Sequence, residues 1–162
     1  MKNILIVCAD KLLRQELSKV VATKLKYLYV DVDEILDYQL LNNQNITLVE
    51  AGEALKQLEI KSINRALQFD GCVMTMSRNL FVSNENFKRF DGTIKVFLKL
   101  PKAHLLANAK TKDVNTIEQE LLLFDKINNL ISINCNITLE CNTTDVNQIG
   151  DEIVKAISSN NI

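Results

Sequence analysis

The residues best suited to chemistry lie in two short stretches near the N-terminus, ILIVCADKLLRQEL at 4–17 and YVDVD at 29–33. The first has the layout of a strand, a turn and a helix. In many α/β proteins that layout cradles a nucleotide's phosphates, because backbone N–H groups at the start of the helix converge on the anion. Here the turn holds no glycine, and the cation that follows it is Arg14. The second stretch sets Asp31 and Asp33 two residues apart after a strand-like run. Carboxylates of this kind are candidates for acid–base work. An aspartate after a strand is equally an ordinary helix cap, so the two roles stand side by side.

Other reactive side chains offer less. Cys8, Cys72, Cys135 and Cys141 form no CxxC pair, and His104 is the single histidine, so no metal site is predicted from the known zinc spacings. Three or four of the cysteines fall in predicted strands and read as small buried hydrophobes in a reducing compartment. His104 reads as a surface or lid residue.

The totals bound what these residues can belong to. A chain of 162 residues, 47% hydrophobic and 24% charged, is expected to form a single domain over 1–162 with a core that needs neither disulfides nor metal. The 19 basic and 20 acidic side chains are interspersed and leave a net charge of −1, which gives no electrostatic footprint for nucleic acid. Apolar runs are only a few residues long, and no leader pattern opens the sequence, so neither membrane insertion nor secretion is predicted and the expected compartment is the cytoplasm. With four glycines and one proline, there is almost no glycine for a mechanism that needs a glycine-rich loop.

The elements that must position the site follow from periodicity. Residues 3–8, NILIVC, form a continuous apolar run suited to a parallel strand buried on both faces. Over 12–25 the spacing becomes helical, with Leu13, Leu17, Val20, Val21 and Leu25 on one side and Arg14, Lys19 and Lys24 on the other. YLYV at 27–30 is the next strand, and the helix after it takes Asp33 as N-cap. A long helix from 51 carries Leu55, Leu58, Ile63 and Leu67 at spacings of three and four and stops near Gly71. CVMTM at 72–76, TIKVFLKL at 93–100 and NITLEC at 136–141 are further strands, with a short helix at ENFKRF and a longer one at 116–131. A C-terminal helix turns Val146, Ile149, Ile153 and Ile157 inward. Alternating strands and helices predict a three-layer α/β/α fold with a parallel sheet of about five strands. In such sheets ligands bind beyond the carboxyl ends of the strands, so the residues just after each strand matter most.

Taken in order, those segments resemble the shikimate kinase family of small-molecule kinases with a phosphate-binding loop, from residue 2 to about 157. The family pattern GxxGxGK[S/T] falls on a register in which Cys8, Lys11 and Leu13 stand for the three glycines, Arg14 for the lysine and Gln15 for the magnesium-binding hydroxyl. The DxD pair is kept as Asp31 and Asp33, which the resemblance places near the metal and the substrate hydroxyls respectively. The FRxxE motif appears as LKQLE, with Lys56 at the substrate-carboxylate position and Glu59 at the acidic one. The family's GGG segment falls on Ser77, Arg78 and Asn79, and its late substrate arginine and following tyrosine fall on Glu120 and Phe124. Its lid corresponds to a shortened segment at 101–115 that contains no arginine.

The resemblance implies an ATP-binding fold with phosphate contacts from Lys11, Arg14 and Gln15, catalytic positions at Asp31 and Asp33, and substrate contacts from Asp33, Lys56, Arg78 and Asn79. Phosphoryl transfer rests on positioning and electrostatic stabilisation, and removing one well-placed donor costs about 10²-fold to 10³-fold in rate. Here several are replaced at once. The expectation is a catalytically degenerate member, a pseudo-enzyme that binds a protein partner or a small anionic ligand. The alternatives are an altered but active kinase that uses ATP and magnesium to phosphorylate a hydroxylated acid, and an anion-binding module held by Arg14, Lys56 and Arg78.

Overall fold

The structure, a computed structural model, describes residues 2–42, 51–82, 86–103, 114–143 and 145–159. Five strands, β1 (Ile4–Cys8), β2 (Leu28–Asp31), β3 (Cys72–Ser77), β4 (Ile94–Lys99) and β5 (Ile137–Glu140), form one parallel sheet in the order β2-β3-β1-β4-β5. The central strand is fully buried, as its continuous apolar run requires, with Ile6 level with Thr75 on one side and Val96 on the other. Helices α1 (Lys11–Leu25), α2 (Val32–Asn42), α3 (Ala51–Ala66), α4 (Arg78–Val82) and α5 (Val114–Asn134) lie between the strands, α6 (Val146–Ser159) follows β5, and a 3₁₀ turn covers Asn86–Phe90.

Side chains alternate along β1 between two cores. Ile4, Ile6 and Cys8 pack with Leu17 and Val21 of α1 and Ile149 and Ile153 of α6. Leu5 and Val7 pack on the other face with Val32, Ile63, Phe81 and Ile131. Each such buried aliphatic or aromatic side chain contributes about 1.5–3 kcal/mol, which is what holds helices on both faces of the sheet. Gly150 lets α6 approach α1 closely, because a Cβ there would lie 3.0 Å from Cγ1 of Val20. Among the described residues no helix is long and apolar enough to cross a membrane.

Several local expectations change. Helix α2 starts at Val32, and its N-cap is Asp31 instead of Asp33: the Asp31 Oδ1 accepts the N–H groups of Asp33 and Glu34 at 2.9 and 3.4 Å. Strand β2 accordingly runs one residue later than the apolar run suggests. Arg14 leaves the polar face of α1 and is 2% exposed. Leu55, expected inside, is exposed. Only Cys8 and Cys72 lie in strands; Cys135 follows α5 and Cys141 follows β5. Most of the segment at 101–115, with His104, lies outside the described residues.

Candidate functional site

The chain leaves β1 for β2 on one side and returns from β3 to β4 on the other, so the topology reverses at the carboxyl ends of β1 and β3. Such a reversal opens a crevice in α/β sheets. The ends of β1, β2 and β3 bring Asp10, Arg14, Asp31, Asp33 and Ser77 together there.

The connection from β1 to α1 is only Ala9 and Asp10. Asp10 has extended backbone, φ −84° and ψ 119°, and its Oδ1 accepts the N–H of Leu13 at 2.9 Å. A carboxylate of the chain itself therefore occupies the helix N-terminus, where the dipole favours a negative charge. Lys11 is exposed at the first position of α1. Arg14 turns inward: Nη1 donates to the Cys8 carbonyl at 3.2 Å and Nη2 to Oδ2 of Asp33 at 2.7 Å. Its Nε is buried with no partner among the described residues. Burial pushes the Asp33 carboxyl up from 3.8, with the Asp31 charge acting the same way and Arg14 and Ser77 pulling against it.

Asp31 is 4% exposed and has four donors around it. Besides the two α2 N–H groups, its Oδ2 accepts from Nε2 of Gln15 at 2.8 Å and from the Tyr29 hydroxyl at 3.1 Å. Those bonds use every lone-pair direction of a carboxylate. Burial first, then the Asp31 charge, holds the Tyr29 phenol well above its ordinary value. Lys19 Nζ lies 5.3 Å from the Tyr29 ring centroid.

Of the residues singled out from sequence, the structure thus joins Arg14 to Asp33 and Gln15 to Asp31. Lys56 lies half-buried on α3. Arg78 and Asn79 open α4, with their side chains outside the described set, as is that of Glu120; Phe124 is buried. Ser77 hydrogen-bonds Asp33 and its Oγ accepts the Leu80 N–H at 3.3 Å, so it caps α4. Asp10, Tyr29 and Ser77 complete the arrangement as hydrogen-bond partners, and of these roles only that of Asp10 has a sequence signal, a cap residue directly before a helical pattern. Beyond the ends of β4 and β5 lies a cleft of about 180 Å³, flanked by the ion pairs Lys99–Glu140 at 3.0 Å and Lys102–Asp125 at 2.6 Å. Among the described residues no group of three or more His, Cys, Asp or Glu side chains is arranged to hold a metal.

The class is a kinase-like α/β nucleotide-binding fold, a five-stranded parallel sheet sandwiched between helices with its crevice at the strand ends. The chain belongs to the shikimate kinase family, whose model matches residues 15–158. It is similar in structure to the shikimate kinase from Acinetobacter baumannii in complex with shikimate, at 18% identity and a TM-score of 0.78 over 99% of this chain and 94% of that one. It is similar to the shikimate kinase from Bacteroides thetaiotaomicron at 13% identity and 0.77, over 97% and 98%. The dephospho-CoA kinase from Campylobacter jejuni gives 12% and 0.68, over the full length of both chains. At these identities the likeness carries the fold and leaves the activity to the site. Comparison with curated protein sequences gives no match.

The residues present do not fit a nucleotide triphosphate at the β1–α1 turn. A phosphate cradle needs a run of backbone N–H groups that a Cβ does not obstruct. Here the turn has two residues, the chain is helical from Lys11, and the Leu13 N–H is already bonded to Asp10.

Proposed function

We propose that this protein is a member of the shikimate kinase family that does not transfer phosphate, and that it acts by binding a protein partner or a small ligand. The observation that supports this best is the inward Arg14, whose Nη2 lies 2.7 Å from Asp33 with only 2% of the arginine side chain exposed. At the position the family motif gives to a phosphate-binding lysine, this cation is already neutralised by a carboxylate of its own chain. Asp10 closes the neighbouring helix N-terminus in the same manner, with a carboxylate where a phosphate would be needed. Asp31, the other kept acid, has all its acceptor sites filled by Gln15, Tyr29 and two backbone groups, so binding magnesium would require breaking them.

The same contacts weigh against the other two readings. An active kinase would have to expose Arg14 and release Asp33 on every cycle. An anion-binding module built on Arg14, Lys56 and Arg78 would have to displace Asp33 from its ion pair first. The test is titration calorimetry of the folded protein with ATP, with and without magnesium, beside a coupled assay for ADP release with shikimate as acceptor. No saturable heat up to millimolar nucleotide and no ADP release are expected. Magnesium-assisted binding that Arg14→Ala abolishes would overturn the proposal and restore the kinase.

A further inference from the structure

A second concave surface, which shares Asp31 with the crevice, runs along the outer edge of β2, an edge that pairs with no strand among the described residues. There α2, the end of α3 with the residues just after it, and the strand border an open groove of about 390 Å³, a volume within the range of sites that hold small organic molecules. Its floor and rim are apolar: Val30 and Ile35 are partly buried, while Tyr38 and Phe69 are 63% and 43% exposed. Two large apolar side chains left open to water beside a concave surface are not explained by the packing of this chain. The charges are arranged with equal economy. Glu34 stands on the α2 wall and Arg65 on the α3 wall, and among the described residues neither joins an ion pair, with each other or with any third group.

We propose that this groove binds a small zwitterionic molecule with an aromatic body, its ammonium group facing Glu34 and its carboxylate facing Arg65. Charge complementarity carries the choice. An acid and a base on separate walls, neither ion-paired among the described residues, with aromatic surface beside them, match a ligand that carries both charges on a flat apolar frame. Asp31 also lines the groove, but its four donors leave it no lone pair to offer, so its role is to set the local negative field. Tyr29 is likewise tied, through its hydroxyl, to Asp31. A protein strand added to the sheet edge fits less well. β2 has four residues and runs straight into α2, and in a parallel pair alternate residues already direct their N–H and C=O groups at β3. The groove is linked to the β1–α1 region through Asp31, which Gln15 of α1 holds by a hydrogen bond at 2.8 Å.

Three probes separate the contributions: 4-(aminomethyl)benzoate, which carries both charges, benzylamine, which carries only the cation, and benzoate, which carries only the anion. Each is titrated into ¹⁵N-labelled full-length protein and followed by amide chemical shifts. The zwitterion is expected to give saturable shifts centred on Ile35, Tyr38, Arg65 and Phe69, with each single-charge probe weaker by about threefold, the size of one exposed charge pair. Glu34→Gln should weaken the zwitterion and benzylamine but not benzoate, and Arg65→Ala the zwitterion and benzoate but not benzylamine. Both residues are exposed, so neither change threatens the fold. Equal binding of all three probes, shifts elsewhere, or no saturation at millimolar concentration would overturn the proposal. So would broadening of the same resonances with protein concentration alone, which would assign the groove to a second copy of the chain.

Discussion

Replacing Arg14 by methionine tests the inward ion pair directly, because methionine fills a similar volume without charge. The wild-type guanidinium donates at 3.2 Å to the Cys8 carbonyl and at 2.7 Å to Asp33. Removing one partner of a buried pair costs about 3–5 kcal/mol, and a buried carbonyl left without its donor costs about 1–3 kcal/mol, the two overlapping in a single measurement. Asp33 keeps 17% of its side chain exposed and can take up water or a proton, which places the expected loss near the lower bound, about 3 kcal/mol. For a chain of this size that is roughly 6–12 °C in Tm. Urea denaturation followed by circular dichroism at neutral pH reads the loss. Because the remaining Asp33 carboxylate causes much of it, Arg14→Met combined with Asp33→Asn should recover about half or more of the lost stability, as should acidification of the single variant. A single variant within about 0.5 kcal/mol of wild type, or a double variant no better than the single one, would refute the reasoning and leave Arg14 a solvated cation.

The Asp33 pKa gives a signed prediction: since burial raises it above 3.8, its favourable contribution is present below 3.8 and is lost as pH rises through the folded value. Wild type should therefore gain stability relative to Asp33→Asn as pH falls from neutral toward the carboxylate range, and denaturation curves with the opposite trend would count against the burial account. Asp31→Ala removes an N-cap and strands Gln15 and the Tyr29 hydroxyl, so it should cost about 3 kcal/mol or more by the same assay, with Asp31→Asn costing less. The thiols of Cys8 and Cys135 are pushed up to about 12, and those of Cys72 and Cys141 to about 11, chiefly by burial. A chromogenic disulfide reagent at mildly alkaline pH should then titrate four thiols quickly in denaturant and few in the native protein, and fast native modification would contradict their burial.

Most of the architecture was legible because hydrophobic periodicity is a property of whole segments. The apolar run at 4–8 and the spaced apolar residues of α1 each depend on several side chains agreeing, and the sheet of five parallel strands followed from their alternation. Single-residue decisions were harder. Helical spacing put Arg14 on a solvated face, and only the tertiary partner 19 positions away, Asp33, explains why a guanidinium goes inward. The cap of α2 moved from Asp33 to Asp31 because both aspartates suit the role locally and Arg14 claims one of them. Ser77 carried no readable signal, since its partner is set by where β2 and β3 end side by side.

The ion pair also shapes which mutational paths are open to this protein's descendants. A lysine at 14 with Asp10 still capping α1 would leave the helix N-terminus closed to phosphate, and a glycine-rich turn with Arg14 still bound to Asp33 would lack a free cation at position 14. Altering Asp33 first would strand a buried guanidinium. Residues 10, 14 and 33 are therefore an epistatic set, whose members gain from change only when they change together. Drift at any one of them is penalised by stability alone, so the arrangement can persist without any selection on what the crevice binds.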